Sequence, residues 1–180
     1  QQNTMRDAMV AAINLNIFNK HCDRVVMANI AQTVNVLQAV ILTEGDQMVL
    51  TPTYHVFDLY KAHQNASEVD THVVCENVGV EGFMMPQLTA SASQKDGKLT
   101  LTVANVSASD AAETTVAIRD VDVESISGRI LQGEMGDYND FGKTVVEVNE
   151  FQGFEKTENS EIKLQLPACC VVELTVCLKK

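Results

Sequence analysis

Basic residues are scarce in this sequence. It has 13 Lys and Arg residues against 24 Asp and Glu residues, which gives a formal net charge of -11 at pH 7. The longest basic cluster is the terminal pair Lys179 and Lys180. An acidic surface repels the phosphate backbone of DNA and RNA, so we expect no nucleic-acid partner.

Long hydrophobic runs are also missing. The apolar stretches fall well short of the roughly 20 residues that cross a bilayer, and no charged start leads into an apolar run. We therefore expect no membrane partner. The chain starts at Gln1 and enters a helical pattern at Thr4, which we interpret as a piece of a longer protein. On that interpretation, the lack of a signal peptide in this sequence does not indicate the cellular compartment of the parent protein.

The motifs of metal and cofactor sites are absent. The five cysteines contain no C-x-x-C pair, and the four histidines contain no H-E-x-x-H pair. Neither a G-x-S-x-G elbow nor a glycine-rich phosphate loop occurs. The acidic stretch from 133 to 142 lacks the calcium-loop pattern, so we predict a polar loop there. We expect no metal and no cofactor, and we expect Cys22, Cys75 and Cys177 to be small buried apolar residues.

The first third of the chain has the pattern of an α/β protein. Thr4 and Asp7 have the spacing of a helix N-cap, and they open a stripe of apolar residues at helical spacing: Met5, Met9, Ala12, Ile13 and Ile17. The run "RVVMANIA" (24–31) predicts a strand covered on both faces. After a loop at "TEGDQ" (43–47), Thr51 and Pro52 predict the start of a second helix that runs to about Gln64.

Beyond residue 66 the pattern changes to the period of two that is typical of half-buried antiparallel strands. Apolar residues alternate in "GKLTLTVANV", in "IKLQLP" and in the last strand, where one face holds Cys170, Val172, Leu174, Val176 and Leu178. Asp96 and Gly97 predict a hairpin turn. We predict an α/β segment over 1–66 and an antiparallel β-sandwich of about seven or eight strands over 67–180.

Three stretches resemble known enzymes. "HCDRVVMANIAQTVNVLQAVILTEGDQMVLTPTYHVFDLYKAHQ" is similar to the last β/α segment of the α-L-arabinofuranosidases of glycoside hydrolase family 51, and "GRILQGEMGDYNDFGKTVVEVNEF" and "IKLQLPACCVVELTV" resemble the C-terminal sandwich of that family. The resemblance implies the last part of a (β/α)8 barrel followed by a jelly-roll-like sandwich. Because a closed barrel needs ~250 residues, most of it would lie upstream of Gln1.

The resemblance also implies an activity, namely retaining hydrolysis of terminal arabinofuranosyl residues of arabinan and arabinoxylan. Retention needs two carboxyl groups about 5 to 5.5 Å apart, which the family supplies as two glutamates on earlier barrel strands. Neither motif occurs in this sequence, so we assign no catalytic residue to it and expect the chain alone to be inactive. Among its acidic residues, we interpret Asp7 as a helix cap and Asp58 as part of the solvent face of its helix.

Gln32 is the one site residue that carries over. In the resembling enzymes, the glutamine of this "AQ-x-VNV" segment hydrogen-bonds the arabinose ring at the C-terminal end of the eighth barrel strand, where barrel active sites are built. The spacing alone favours a different role, in which Asn29, Gln32 and Asn35 cap the following turn. With the resemblance we predict a sugar contact for Gln32 and structural roles for Asn29 and Asn35.

An alternative function is a non-catalytic carbohydrate-binding or interaction module. Such sandwiches present aromatic platforms to sugar rings, but this chain has no Trp. We expect its later phenylalanines, Phe83, Phe141, Phe151 and Phe154, to pack in the core. The first helix and strand would lose their barrel neighbours in a fragment, so we also predict self-association through the first 65 residues or disorder of part of them.

Overall fold

The computed structural model describes residues 3–30, 33–157 and 161–179. The first part contains two helices, α1 (Met5–Lys20) and α2 (Pro52–Tyr60), with a hairpin of β1 (Ile41–Glu44) and β2 (Gln47–Leu50) between them. Both helix predictions are confirmed. Thr4 and Asp7 form a capping box at α1, and the Thr51 hydroxyl accepts the Tyr54 N–H at the start of α2.

Eleven described strands follow α2, more than the seven or eight expected from the sequence. They are β3 (Ser67–Val69), β4 (Asn77–Val80), β5 (Phe83–Pro86), β6 (Leu88–Lys95), β7 (Lys98–Asn105), β8 (Ala112–Val116), β9 (Val123–Gln132), β10 (Val148–Glu150), β11 (Phe154–Lys156), β12 (Ile162–Leu166) and β13 (Cys170–Leu178). They form an antiparallel six-stranded sheet in the order β10-β9-β13-β7-β6-β3 and a three-stranded sheet in the order β11-β12-β8. The strands β4 and β5 form a separate hairpin.

The two larger sheets face each other across one apolar core, so the β-sandwich prediction is confirmed. In β13 the predicted inward face is buried, with Cys170, Val172, Leu174 and Val176 packed in this core. The opposing sheet contributes alternate residues of β12, which are Ile162, Leu164 and Leu166. The turn between β6 and β7 is the predicted one. Asp96 and Gly97 both have positive φ, at 51° and 75°.

The outer face of the six-stranded sheet is also buried, because α1 and α2 cover it. Met5, Met9, Val56 and Leu59 pack there against the other side of the sheet, including Leu131, Cys169 and Val171. Cys169 and Cys170 lie in different cores, but they are not neighbours in a strand, since β13 begins at Cys170 and Cys169 precedes it with a φ of 47°. This second core joins residues on both sides of the boundary predicted after residue 66.

The predicted strand over 24–31 does not form in the residues that the structure describes. Residues 25–30 have no regular secondary structure, and Val26 and Met27 are 91% and 73% exposed. The hydrophobicity of this run predicts a strand, but a strand also needs neighbours that pair with its N–H and C=O groups. Cys22, just before this run, is exposed rather than buried, and Cys75 and Cys177 are only half-buried.

The loop predicted at "TEGDQ" is the tip of the β1–β2 hairpin, with Gly45 at a φ of 60°. The two flanking strands have four residues each, too few to show a clear period in the sequence. Within the described ranges, neither helix has the length and hydrophobicity of a membrane-spanning segment.

A row of polar residues crosses the helix-covered face of the large sheet. Ser91, Thr102, Glu173 and Arg129 lie in register on β6, β7, β13 and β9. Asn16 of α1 accepts hydrogen bonds from Ser91 and Thr102 at 2.8 and 3.0 Å. These bonds fix where α1 lies on the sheet, which apolar packing alone would specify less sharply.

His63, in the short 3-10 turn after α2, belongs to the same polar row. Its Nδ1 is 2.7 Å from the Ser93 hydroxyl and its Nε2 is 3.0 Å from the Thr102 hydroxyl. Burial lowers the pKa of His63 to about 4, against an opposing effect of the Glu173 carboxylate. The ring of Tyr60 on α2 packs beside it. His63 is therefore neutral in the folded chain near pH 7.

We predict that His63 makes the fold sensitive to acid. Its pKa is about 4 in the folded chain and 6.5 ordinarily, so the unfolded chain binds more protons between these values. The contribution of His63 to the free energy of unfolding should be fully present above about pH 6.5. It should decrease as the pH falls towards about 4. Urea unfolding of the wild type and of His63→Gln across this window measures the difference.

The His63→Gln variant should lose part of this pH slope, whereas His72→Gln, at an exposed position, should keep the wild-type slope. Equal slopes for the wild type and His63→Gln would contradict the prediction.

Candidate functional site

Gln32, the predicted sugar contact, lies outside the described residues. The backbone directly after it is well defined by hydrogen bonds. The carbonyl of Thr33 accepts the N–H groups of Val40 and Ile41 at 3.2 and 3.1 Å. The next residue, Val34, forms a parallel bridge with Ile41. The loop that follows Gln32 therefore folds back onto strand β1.

Asn35 binds the same strand through its side chain. Its Oδ1 accepts the Thr43 N–H at 2.7 Å, and its Nδ2 donates to the Thr43 carbonyl at 3.0 Å and to the Thr43 hydroxyl at 2.9 Å. The φ of Asn35 is 53°, a left-handed conformation that asparagine tolerates better than most residues. We call this pair of residues the Asn35–Thr43 clamp.

Asn29 lies in the irregular stretch before Gln32. It is exposed, and within the described part of the chain its amide has no hydrogen-bond partner. The structural role that the sequence suggested for Asn29 has no contact to support it there.

Two further residues, Thr51 and Asn139, hold the ends of the β1–β2 hairpin. The Thr51 hydroxyl lies 3.1 Å from the carbonyls of both Ala39 and Val40. The buried Asn139 donates to the carbonyls of Leu50 and Val146 at 2.9 and 2.7 Å, and its Oδ1 accepts backbone N–H groups of the following segment. The hairpin is thus bonded both to α2 and to the sandwich.

Asn139 belongs to the predicted polar loop of residues 133–142, which binds the start of α1. The carbonyl of Asp137 accepts the Met5 N–H at 2.9 Å, and the carbonyl of Met135 accepts the Arg6 N–H at 3.1 Å. Two of the N–H groups that a helix N-terminus leaves unpaired are satisfied in this way. The loop is a structural connector between the sandwich and the helical segment.

The structure places Asp7 at its predicted cap position. Burial acts to raise the pKa of Asp7, but hydrogen bonds from the Thr4 N–H, the Gln38 side chain and the Thr4 hydroxyl, with the charge of Arg6, hold the pKa below its usual range. Asp23, Glu44 and Asp46 are exposed. In residues 3–30, 33–157 and 161–179, no group of three His, Cys, Asp or Glu residues could hold a metal ion.

The interpretation of Asp58 as a solvent-face residue is wrong. Its carboxylate accepts from Arg129 of β9 at 2.8 Å and from Lys61 at 2.6 Å, and its side chain is only 26% exposed. Arg129 also donates to Glu173 at 2.7 Å. Burial opposes ionisation of Asp58, but Lys61 and Arg129 hold its pKa below the usual range. Arg129 lies 71 residues from Asp58 in the sequence, so the sequence contains no signal for this ion pair.

The prediction that the later phenylalanines are core residues holds only in part. Phe151 is buried and Phe154 packs against the sandwich core, as predicted. Phe83, on the β4–β5 hairpin, is 82% exposed, and Phe141 is half-buried. Among the described strands β5 pairs with β4 alone, and it contributes no residue to either core, so the apolar character of Phe83 does not lead to its burial.

One family model and a curated relative match nearly the whole of this chain. The family described as "Alpha-L-arabinofuranosidase C-terminal domain" matches residues 1–170. An intracellular exo-α-L-arabinofuranosidase of Bacteroides ovatus is 43% identical over 178 residues, which are 97% of this chain and 34% of that protein. This chain therefore spans about one third of the length of that relative.

Solved structures agree with these relatives. The chain superposes on a family 51 arabinofuranosidase of Xanthomonas axonopodis pv. citri with a TM-score of 0.93 and 39% identity, covering 98% of this chain and 36% of that one. An α-L-arabinofuranosidase of Thermotoga maritima, solved with arabinose, has the same fold with a TM-score of 0.82 at 23% identity, covering 98% and 39%.

Proposed function

The chain belongs to the family of α-L-arabinofuranosidase C-terminal domains, and from this premise we propose that it is the C-terminal portion of a retaining α-L-arabinofuranosidase. The parent protein would hydrolyse terminal arabinofuranosyl residues of arabinan or arabinoxylan. The observation that carries the proposal is the 43% identity to an exo-α-L-arabinofuranosidase across nearly the whole chain.

In this proposal residues 1–66 complete a (β/α)8 barrel and residues 67–180 form a jelly-roll sandwich beside it. The exposed stretch around Val26 and Met27 supports the barrel part of the proposal. An apolar run of this kind would form a buried strand if neighbouring strands paired with it. Those strands would come from the other two thirds of the parent, which this chain does not contain.

Gln32 is then the contribution of this chain to the sugar pocket. In a (β/α)8 barrel, the residue directly after a strand lies at the end where active sites are built. An amide carries both donors and an acceptor, so it can pair with the hydroxyl groups of an arabinose ring. The hydrogen bonds of Thr33 and Asn35 support this role, since they hold the backbone that follows Gln32.

The reactive carboxyl groups of the proposed enzyme lie outside this chain. Two carboxyl groups are needed about 5 to 5.5 Å apart, one to protonate the leaving oxygen and one to attack the anomeric carbon. Here Asp7 caps a helix, and Asp58 and Glu173 share Arg129. These acids are already engaged in holding the fold together.

We predict that the isolated chain does not hydrolyse an aryl arabinofuranoside, whereas the full-length protein does. In the full-length protein, Gln32→Ala should lower kcat/KM about 10- to 100-fold, the effect of losing one or two hydrogen bonds to substrate. Steady-state kinetics measure both effects.

Gln64→Ala, at an exposed position, is the matched control and should retain wild-type kinetics. Turnover by the isolated chain above a buffer blank would refute the structural roles given to its acids. Wild-type kinetics for Gln32→Ala would refute the sugar contact.

We also propose that the isolated chain self-associates through its first 65 residues. Val26, Met27, Leu37 and Met48 are large apolar residues that are more than half exposed in this segment. Light scattering should show a fraction of oligomers that increases with protein concentration. The double variant Val26→Ser/Met27→Ser should have a smaller oligomer fraction at each concentration.

The control for this experiment is Val74→Ser/Met84→Ser, which removes exposed apolar side chains elsewhere and should leave association unchanged. A wild-type chain that stays monomeric at all concentrations would overturn the proposal.

A further inference from the structure

The β4–β5 hairpin carries large apolar side chains on one of its faces. In an antiparallel pair, residues opposite each other lie on the same face, and so do residues two apart along a strand. The register of this hairpin pairs Val78 with Met85 and Val80 with Phe83. These four residues therefore share one face, which we call the apolar hairpin face.

The apolar hairpin face begins in the core under the helices and extends beyond it. At the base, Val78 is partly buried against that core. Met85, its partner across the hairpin, is 38% exposed, whereas Val80 and Phe83 at the tip are 68% and 82% exposed. Exposure thus increases from the base to the tip. The face continues a core that the described part of the chain leaves uncovered, and a contiguous exposed apolar surface of this kind marks an interaction site.

The backbone gives this hairpin a defined shape. Gly79 has a φ of 130°, and a Cβ at this position would collide with the carbonyl group of Phe83. The turn contains Gly82 at a φ of 84°, and the Glu76 carbonyl closes the base by accepting the Gln87 N–H at 2.8 Å. The side chain of Phe83 is therefore presented on a paired strand and not on an irregular loop.

The charges of this segment oppose a second copy of the chain as the occupant. Between Lys61 and Lys95 the sequence has four acidic residues and neither Lys nor Arg. Two of the acids, Glu76 and Glu81, are exposed at the base and in the turn of the hairpin. Two copies that met through the same face would bring these like charges together, which costs free energy.

The size of the face favours an occupant that is covalently joined to this chain. Interfaces between separate proteins bury roughly 1,200–2,000 Å². An aromatic side chain buries only about 150–250 Å², and Phe83 is the one aromatic residue of this face. A tethered surface can dock through a smaller area, because the linkage raises its effective concentration. The curated relative supplies such a surface, since this chain covers only 34% of its length.

We propose that the apolar hairpin face docks against the part of the parent protein that this chain lacks, with Val80 and Phe83 buried in an apolar surface of that part. The inference rests on the proposed function, since it requires that the chain is a portion of a longer enzyme. The docked hairpin extends the core under the helices, through Val78, across the junction between the two parts of the parent.

The occupant is identified in the full-length protein by a photoreactive benzoylphenylalanine in place of Phe83. Irradiation should join this position to a peptide of the parent from outside the 180 residues of this chain. The product should migrate as a single chain on a denaturing gel. The control is the same probe in place of Lys98, an exposed residue at the opposite end of the sheet, which should give no such product.

Thiol labelling measures the burial of each face in the full-length protein. Phe83→Cys and Val80→Cys should react with a maleimide at least about tenfold more slowly than Lys98→Cys, since their thiols become accessible only when the hairpin opens. The matched control is Met84→Cys, on the opposite face of the same hairpin, which should react as fast as Lys98→Cys. Mass spectrometry of the labelled peptides gives the rates.

A cross-linked product of two chains would show that a second copy covers the hairpin, and a cross-link to a different protein would show an external partner. Either result would overturn the proposal, as would equal labelling rates for Phe83→Cys and Met84→Cys.

Hydrolysis of an aryl arabinofuranoside by the same protein is measured separately. Activity with an unprotected hairpin would refute this inference and leave the proposed function intact. A protected hairpin in a protein without that activity would refute the proposed function and leave the docking intact.

Discussion

The burial of the six-stranded sheet on both faces is the constraint on which the rest of this structure depends. Strand β13 lies near the middle of the sheet, with Val172 and Leu174 in the sandwich core and Val171 in the core under the helices. Each fully buried side chain of this kind stabilises the fold by about 1.5–3 kcal/mol. Removing the helices would expose one face of the sheet and leave half of this burial without a partner.

Apolar packing holds the helices on the sheet, and polar contacts set their position. Asn16, His63 and Asp58 each bind a member of the polar row that runs from Ser91 to Arg129. Asn139 in the sandwich and Thr51 at the start of α2 bind the β1–β2 hairpin and the residues that precede it. Through Asn139, the sandwich therefore holds the end of the hairpin to which the loop of Thr33 and Asn35 is bonded.

The sequence predicted those parts of the fold that depend on local signals. Thr4 with Asp7 and Thr51 with Pro52 are local signals for the start of a helix, and the alternation in β13 needs only one buried face. The β-sandwich followed from such patterns. The candidate site was less accessible, since the resemblance singled out Gln32 but spacing could not reveal that Asn35 binds Thr43.

The predictions that the structure contradicts depend on interactions between residues that are distant in the sequence. The run around Val26 has the composition of a strand, but composition does not supply the neighbours that a strand requires. Asp58 has the spacing of an exposed helix position, yet Arg129 approaches it from β9. Phe83 is apolar, which favours a place in the core, but its strand β5 contributes no residue to either core.

We expect the helices and the sandwich to unfold as one cooperative unit, and native-state hydrogen exchange tests this expectation most directly. The amides of α1 and α2 should exchange with the same opening free energy as those of β13, because opening either helix exposes the face of the sheet beneath it. Helix amides that exchange through an opening of much lower free energy, while β13 stays protected, would contradict the claim.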